Sequence, residues 1–200
     1  HVDAVNVPDN PAGIAHMAAW AAAALVAREG VDPIMHVTCR DRNRLALQSD
    51  LLGAAAMGVR NVLCLTGDHM VHGDHPAAKP VFDLDSVQLI ELITRLREEQ
   101  GIPFHISVAV SPFKYAREDC LYQYLKLEKK VAAGANVAIT QVGWDARKFA
   151  ELKNYLDERG LDLPLLGNVY VLGKRAAEKM AGGSPPGCWV SPELVERIRK

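Results

Sequence analysis

The sequence predicts an α/β fold, a (β/α)₈ TIM barrel whose first and last strands are absent from this chain. Short β-branched runs alternate with longer helical stretches, which is typical of βα units on a parallel sheet. A doubly wound dinucleotide-binding sheet should carry a phosphate-binding glycine fingerprint after its first strand, and Val7–Asn10 has none. Polar residues instead follow each strand, an arrangement that suits the mouth of a barrel.

The elements are expected in strict alternation. The predicted strands are Asp3–Val7, Pro33–Thr38, Asn61–Thr66, Pro103–Val110, Asn136–Thr140 and Pro164–Val171. The predicted helices are Ile14–Glu29, Arg44–Met57, Asp85–Gln100, Glu118–Ala133, Ala146–Arg159, Lys174–Ala181 and one that begins near Pro192. Glycines that can adopt the left-handed conformation end several of these helices and lead into the next strand.

Composition indicates a single globular domain over residues 1–200. The chain has 49% hydrophobic and 24% charged residues and a formal net charge of −1, which gives no support for a nucleic-acid or membrane-surface partner. The longest apolar run, Met17–Ala27, is too short to span a bilayer. The four cysteines are widely separated and form no C-x-x-C pair. We therefore expect a reducing, cytoplasmic location.

Six parallel strands cannot close a barrel of eight, and both outer strands would have open edges. We therefore expect the natural protein to extend beyond both ends, with one further strand on each side. Exposed strand edges also favour assembly, either as a homo-oligomer or with a partner redox subunit.

The strongest candidate for chemistry is Asp68, which follows a buried strand and Gly67. Glycine lets the backbone approach a ligand closely, and a carboxylate at the barrel mouth can face a cofactor or a developing cation. A structural role as a helix or turn cap is equally open from spacing alone. Gln141 also ends a strand, and its amide suits the edge of a pterin or purine, although a loop amide is the simpler interpretation.

Other polar residues have two interpretations each. His36 lies within a strand and is expected to be a satisfied core histidine. The arginines of the segment 40–44 could hold phosphate oxygens or solvate the rim. Lys126 and Lys130 share one helix face and could meet an anionic cofactor. The loop 68–75 is rich in histidine and aspartate but matches no metal-ligand spacing, so no metal is expected.

Four segments occur in order along the chain: Thr38–Arg44, Leu65–Asp68, Phe82–Val87 and Gly134–Gln141. They resemble the motifs of the methylenetetrahydrofolate reductase family. The resemblance extends from His1 to about Ala181.

The resemblance implies a flavin-dependent oxidoreductase with FAD, or FMN, at the barrel mouth. NADH or NADPH would be the electron donor, and 5,10-methylenetetrahydrofolate would be reduced to 5-methyltetrahydrofolate, a step of one-carbon metabolism and methionine biosynthesis. It further implies that Asp68 lies against the flavin and the folate, and that Gln141 binds the pterin. The positions that match flavin-binding positions of the family are His36, Gly67, Asp68, Ser111, Tyr115, Lys126 and Lys130.

This chain departs from the best-known bacterial pattern at several of these positions. Pro8-Asp9 replaces Thr-Tyr, and Thr66 replaces the arginine that commonly precedes Gly67. The other replacements are Gln123 for aspartate, Lys126 for asparagine, Ser111 for tyrosine and Tyr115 for histidine.

The family's catalytic glutamate lies on the first barrel strand and would precede His1. A flavin- or partner-binding barrel subunit without folate reductase activity of its own is therefore the alternative hypothesis. A synthase or lyase acting on phosphate-bearing substrates rests on fold analogy alone and ranks last.

Overall fold

The structure is a computed structural model that describes residues 2–70, 73–114, 116–182, 188 and 190–200. Within this part of the chain, six parallel strands in the order β1-β2-β3-β4-β5-β6 alternate with α-helices. This confirms the predicted α/β class and parallel βα units. The chain forms two compact units, residues 1–108 with 132–136, and residues 109–131 with 137–200.

The strands are β1 (Ala4–Val7), β2 (Asp32–Thr38), β3 (Asn61–Leu65), β4 (His105–Val110), β5 (Val137–Thr140) and β6 (Leu165–Leu166). The helices are α1 (Ala19–Arg28), α2 (Arg44–Ala56), α3 (Ser86–Gln100), α4 (Arg117–Ala132), α5 (Ala146–Glu158), α6 (Lys174–Ala181) and α7 (Pro192–Arg199). None of the helices in the described ranges is long and apolar enough to cross a membrane.

The first unit is built on strands in direct parallel register. Met35 of β2 pairs with Val7 of β1 and with Val62 of β3, and all three side chains are buried. The helices bury a stripe at helical spacing, such as Leu47 and Leu51 of α2, which are fully buried. Apolar burial of this kind fixes the level at which each strand ends, so the residues after β1, β2 and β3 follow at one edge of the sheet.

The second unit contains β5, β6 and the last four helices. Ala138 of β5 pairs with Leu165 of β6 in parallel register. Ala177 of α6 and Val195 of α7 are buried in a separate apolar cluster, against which the ring of Trp144 packs. Trp144 thus ties the segment after β5 to α6 and α7.

The first helix begins at Ala19 and not at Ile14, so that boundary was predicted wrongly. A short 3₁₀ turn at Pro11–Gly13 comes first. The next backbone amides are taken by side chains: that of Ala15 donates to Asp74 at 3.0 Å and that of His16 donates to Asn10 at 3.0 Å. Because these side-chain hydrogen bonds hold residues 15 and 16 outside a helix, the helix begins only at the residues that follow.

The last predicted strand, Pro164–Val171, is reduced to β6, a two-residue pairing. After Gly167, the amide of Asn168 donates to Oγ1 of Thr140 at 3.0 Å instead of to a strand carbonyl. Val169 and Val171 are 79% and 91% exposed. Their β-branched side chains therefore led to a predicted strand that is longer than the one observed. The other strand and helix boundaries agree with the prediction to within two residues.

Candidate functional site

In the first unit, the C-terminal ends of β1, β2 and β3 meet around the buried side chain of Arg40. Its guanidinium donates to both carboxylate oxygens of Asp41, at 2.7 and 2.9 Å. It also donates to the backbone carbonyls of Asn10 at 2.9 Å and Asp68 at 3.2 Å. The hydrogen bonds that Arg40 donates to Asp41 raise the pKa of Arg40, and the negative charges of Asp41, Asp9 and Asp68 add to that effect.

A second charge cluster lies beside the first. The buried carboxylate of Asp9 accepts hydrogen bonds from the backbone amide of Thr38 at 2.9 Å, from its hydroxyl at 3.0 Å, and from Arg42. Arg42 also donates to Asp50 at 2.6 Å. Two ion pairs thus fix the direction in which the chain leaves β2.

Asp68 follows Gly67 at the end of β3 and is exposed. Gly67 has φ +95°, and a Cβ there would lie 3.0 Å from Cβ of Arg40 and 3.3 Å from Cβ of Thr38. The glycine is therefore required both by the backbone conformation and by the close approach. The Asp68 carboxylate has no hydrogen bond or ion pair among the residues that the structure describes.

His36 is partly buried on β2, and its Nε2 lies 3.1 Å from Oδ1 of Asn6 on β1. Because an amide oxygen only accepts, Nε2 carries the proton. Burial lowers the pKa of His36 to about 4, against a smaller opposing effect of the Asp9 carboxylate. His36 is therefore a neutral imidazole at neutral pH, held in one tautomer by Asn6, and its Nδ1 is an acceptor.

The arginines of the segment 40–44 are all engaged within the protein. Arg44 donates to the carboxylate of Asp83 at 2.9 and 3.0 Å, and these bonds lower the pKa of Asp83 to about 2. Arg40 is 2% exposed. The structure therefore supports neither a phosphate-binding role nor simple rim solvation for Arg40. Across the described residues, no group of three or more His, Cys, Asp and Glu side chains could hold a metal ion.

In the second unit, Gln141 and Ser111 end neighbouring segments. The backbone amide of Gln141 donates to the carbonyl of Val110 at 2.7 Å, which places Ser111 next to it. The side-chain oxygen of Gln141 accepts from the amide of Val142 at 2.9 Å, and its NH₂ group has no hydrogen-bond partner among the described residues. Oγ of Ser111 is buried and has no hydrogen-bond partner in the described structure.

The basic residues of α4 differ in environment. Lys130 is 7% exposed, and its ammonium donates to the carbonyl of Ala109 at 2.6 Å. Lys126 lies one turn earlier and is partly exposed. Tyr115, the remaining predicted site residue, lies outside the described residues.

A cavity of about 310 Å³ opens in the second unit, beyond the segments that carry Ser111 and Gln141. Phe113 and Trp144 contribute aromatic surface to it. Gly143 lies against Phe113 so closely that a Cβ there would be 2.1 Å from the ring. The remaining lining residues are Asp145, Arg147, Ser191, Glu193, Leu194 and Arg197.

Sequence reasoning missed the side chains that hold these sites in place. Asn6, Asp9 and Asn10 come from β1 and its end, and each contacts the end or the body of β2. Asp9 and Asn10 were visible as polar residues directly after a strand, which is the signal that could have identified them. Nothing in the local sequence of Arg40 indicated that its guanidinium would be buried.

The fold and the strand-end residues define an α/β protein with parallel βα units and an exposed carboxylate at the C-terminal edge of its strands. The family model for methylenetetrahydrofolate reductase matches residues 1–200. The chain therefore belongs to the methylenetetrahydrofolate reductase family, as the resemblance of its motifs predicted.

Two relatives and one solved structure illustrate the similarity. A probable methylenetetrahydrofolate reductase (NADPH) of Caenorhabditis elegans is 30% identical over 158 residues, 76% of this chain and 22% of that protein. The 5,10-methylenetetrahydrofolate reductase of Escherichia coli is 28% identical over 156 residues, 77% of this chain and 49% of that protein. The chain thus matches between about a fifth and a half of the length of these two relatives.

The crystal structure of 2,3-dimethylmalate lyase, a member of the PEP mutase/isocitrate lyase superfamily, superposes with a TM-score of 0.50. It is 10% identical in sequence, and the match covers 90% of this chain and 71% of that one. This likeness concerns the fold alone.

Proposed function

We propose that this chain is the central part of a TIM-barrel flavoenzyme that reduces 5,10-methylenetetrahydrofolate to 5-methyltetrahydrofolate with electrons from NADH or NADPH. Membership of the family supports the reaction class. The observation that supports a catalytic residue is the state of Asp68. Its carboxylate is exposed and has no hydrogen-bond or ion-pair partner in the described structure, and it follows the constrained turn at Gly67.

Several described residues fit a flavin. The buried hydroxyl of Ser111 lacks a protein partner, and a polar group of a ligand would satisfy it. The neutral His36 offers Nδ1 as an acceptor, and Lys126 is partly exposed. When bound, FAD (or FMN) supplies the hydride chemistry between the nicotinamide donor and the folate.

The residues of this chain would position the reactants and stabilise charge. The negative charge of Asp68 would lower the reduction potential of the flavin and stabilise the cationic iminium form of the folate. The NH₂ group of Gln141, which has no partner among the described residues, would donate to an acceptor on the pterin edge. Lys130 already donates to the carbonyl of Ala109, so its contribution to flavin binding would come through the shape of that strand end.

The alternative is a flavin- or partner-binding barrel subunit without folate reductase activity of its own. It is favoured by the changes at Thr66, Gln123 and Ser111, which fall where the family holds the flavin. A homo-oligomer or a complex with a partner redox subunit, in the cytoplasm, is compatible with both functions.

The test is to purify the intact natural protein and record its absorbance spectrum and its oxidation of NADH and NADPH. We expect flavin absorbance and oxidation that depends on methylenetetrahydrofolate. Flavin absorbance, with NADH or NADPH oxidised only when an artificial electron acceptor is added, would support the alternative. A protein that binds no flavin would contradict both functions.

A further inference from the structure

We propose that Arg40 is a positioning residue for Asp68: its buried guanidinium holds the backbone of Asp68 against the ends of β1 and β2 and so fixes the direction of the Asp68 carboxylate. The contact itself does not depend on the function proposed above. Its consequence for catalysis does, because Asp68 is assigned there to the flavin and the folate.

The geometry of Arg40 is that of a clamp between strand ends. Its side chain, which leaves the end of β2, donates to the carbonyl of Asn10 after β1 at 2.9 Å and to that of Asp68 after β3 at 3.2 Å. The bidentate bond with Asp41 holds the planar guanidinium in one orientation. A lysine could not reproduce this, because its ammonium is a point charge and lacks the fork of donors.

The Asp68 side chain depends on its backbone for direction. In the described structure, the carboxylate itself has no hydrogen bond or ion pair. Among the described residues, Asp68 is held through its backbone carbonyl, which accepts from Arg40. Gly67, directly before it, is packed against Arg40 and Thr38. Arg40 therefore constrains both residues of the Gly67–Asp68 turn, one by packing and the other by hydrogen bonding.

The residue before Gly67 does not supply this constraint. Thr66 is neutral, and its hydroxyl accepts a hydrogen bond from the amide of Ser86 at 3.2 Å, next to the start of α3. The cation beside Gly67–Asp68 is instead Arg40, from the neighbouring strand β2. The constraint on the Gly67–Asp68 turn therefore comes from the neighbouring strand end and not from position 66.

The clamp can be tested without flavin or folate. Hydrogen–deuterium exchange of the flavin-free intact protein would be compared between wild type, Arg40→Met and Arg60→Met. Arg60 is a matched control, since it also donates to two backbone carbonyls, those of Ala55 at 2.6 Å and Val59 at 2.9 Å, but before β3.

The protected amides next to the two held carbonyls are those of Gly13, which donates to Asn10, and Cys39, which donates to Thr66. We expect exchange at these two amides to rise about tenfold in Arg40→Met and to be unchanged in Arg60→Met. Unchanged exchange at both amides in a folded Arg40→Met variant would overturn the clamp. If Arg40→Met does not fold because Asp41 is left unpaired, Arg40→Met/Asp41→Asn removes both charges and should give the same local increase.

The catalytic consequence is tested by a double-mutant cycle with Asp68→Asn. Arg40→Met should slow folate reduction about tenfold and raise the flavin potential, because a mobile carboxylate stabilises charge less well. Both effects should vanish when Asp68 is already asparagine. Effects of Arg40→Met that persist in that background would refute positioning through Asp68.

The two proposals fail in different ways. A wild-type protein that binds no flavin or does not reduce folate would contradict the proposed function, while the exchange experiment would still decide the clamp. An active folate reductase in which Arg40→Met leaves exchange at the amides of Gly13 and Cys39 unchanged would contradict the clamp alone.

Discussion

The two units treat the polar groups at their strand ends in opposite ways. In the first unit the groups are ionic and are paired with one another, as in Arg40 with Asp41 and Arg42 with Asp9. In the second unit they are neutral, and Ser111 has a buried hydroxyl without a partner in the described residues. The NH₂ group of Gln141 likewise has no hydrogen-bond partner in the described residues.

This difference indicates two tasks. The ion pairs hold the strand ends of the first unit together, although Nε of Arg42 is buried without a partner in the described residues. The Asp68 carboxylate at this edge is exposed and is available to act on a ligand. Neutral donors and acceptors discriminate by hydrogen-bond pattern, which suits recognition of an uncharged ring edge. The first unit is therefore expected to control rate and flavin potential, and the second to control affinity for folate.

The largest effect is expected for Asp68→Asn. Removing one preorganised charge should slow folate reduction on the order of 10²-fold and raise the flavin potential. The rate is measured by stopped-flow reoxidation of the reduced protein with methylenetetrahydrofolate, and the potential by dye-coupled titration. Normal folate turnover in a variant with a normal flavin spectrum would remove Asp68 from the mechanism.

The second effect concerns pH and His36. An unfolded chain protonates this histidine below its ordinary pKa of 6.5, whereas the folded protein keeps it neutral down to about 4. Between these values the unfolded state binds more protons, so this contribution to stability is complete above pH 6.5 and is lost as the pH falls towards 4. We expect it to be about 2 kcal/mol, reduced from the full linkage value because the ring is partly exposed.

Urea unfolding of wild type and His36→Gln at neutral and acidic pH measures this contribution. The variant should lose less stability on acidification than the wild type does. His105→Gln, at an exposed histidine on β4, is the control for removing a histidine. Identical pH dependence in wild type and His36→Gln would contradict a neutral buried imidazole.

The third effect concerns the Gly67 turn. Gly67→Ala would place a methyl group 3.0 Å from Arg40 in a strained conformation, whereas Gly30→Ala, at φ +78°, meets nothing within 4 Å. Both variants should lose stability through the positive φ, but Gly67→Ala should lose about 1–2 kcal/mol more. Thermal or urea unfolding measures the difference. Equal losses of stability in the two variants would show that the close approach to Arg40 does not contribute to the free energy of unfolding.

The smallest effect is expected in the second unit. Gln141→Ala should weaken folate binding about tenfold, the usual result of losing one hydrogen bond to a ligand, and leave flavin reduction by the nicotinamide donor nearly unchanged. Gln100→Ala, at the exposed end of α3, is the control. Equal damage to both half-reactions would indicate that Gln141 supports the structure and does not contact the pterin.

The sequence predicted the fold well where periodicity and glycine punctuation agree. Helix α3, for example, begins with a capping box at Asp85 and ends at Gly101 in the left-handed conformation, both local signals. It failed at β6, where the β-branched residues Val169 and Val171 are exposed. Strand formation there depends on a hydrogen-bond partner, which local composition does not encode.

For the site, the sequence predicted residue positions but not their environments. Asp68 and Gly67 were identified from their place after a buried strand. The pairing of His36 with Asn6 depends on the register between β1 and β2, since Asn6 lies opposite Ile34, and a single sequence does not reveal that register. The roles assigned to the site residues stay predictions until they are tested.

The oxidative half-reaction of the intact natural protein tests the proposed folate reduction and the role of Asp68 together. The protein would be reduced anaerobically with NADH or NADPH and mixed with methylenetetrahydrofolate, while flavin absorbance and the product are followed. We expect rapid return of oxidised flavin with one equivalent of 5-methyltetrahydrofolate, and return slowed on the order of 10²-fold in Asp68→Asn. Reduced flavin that persists in the presence of the folate would contradict the proposed folate reduction.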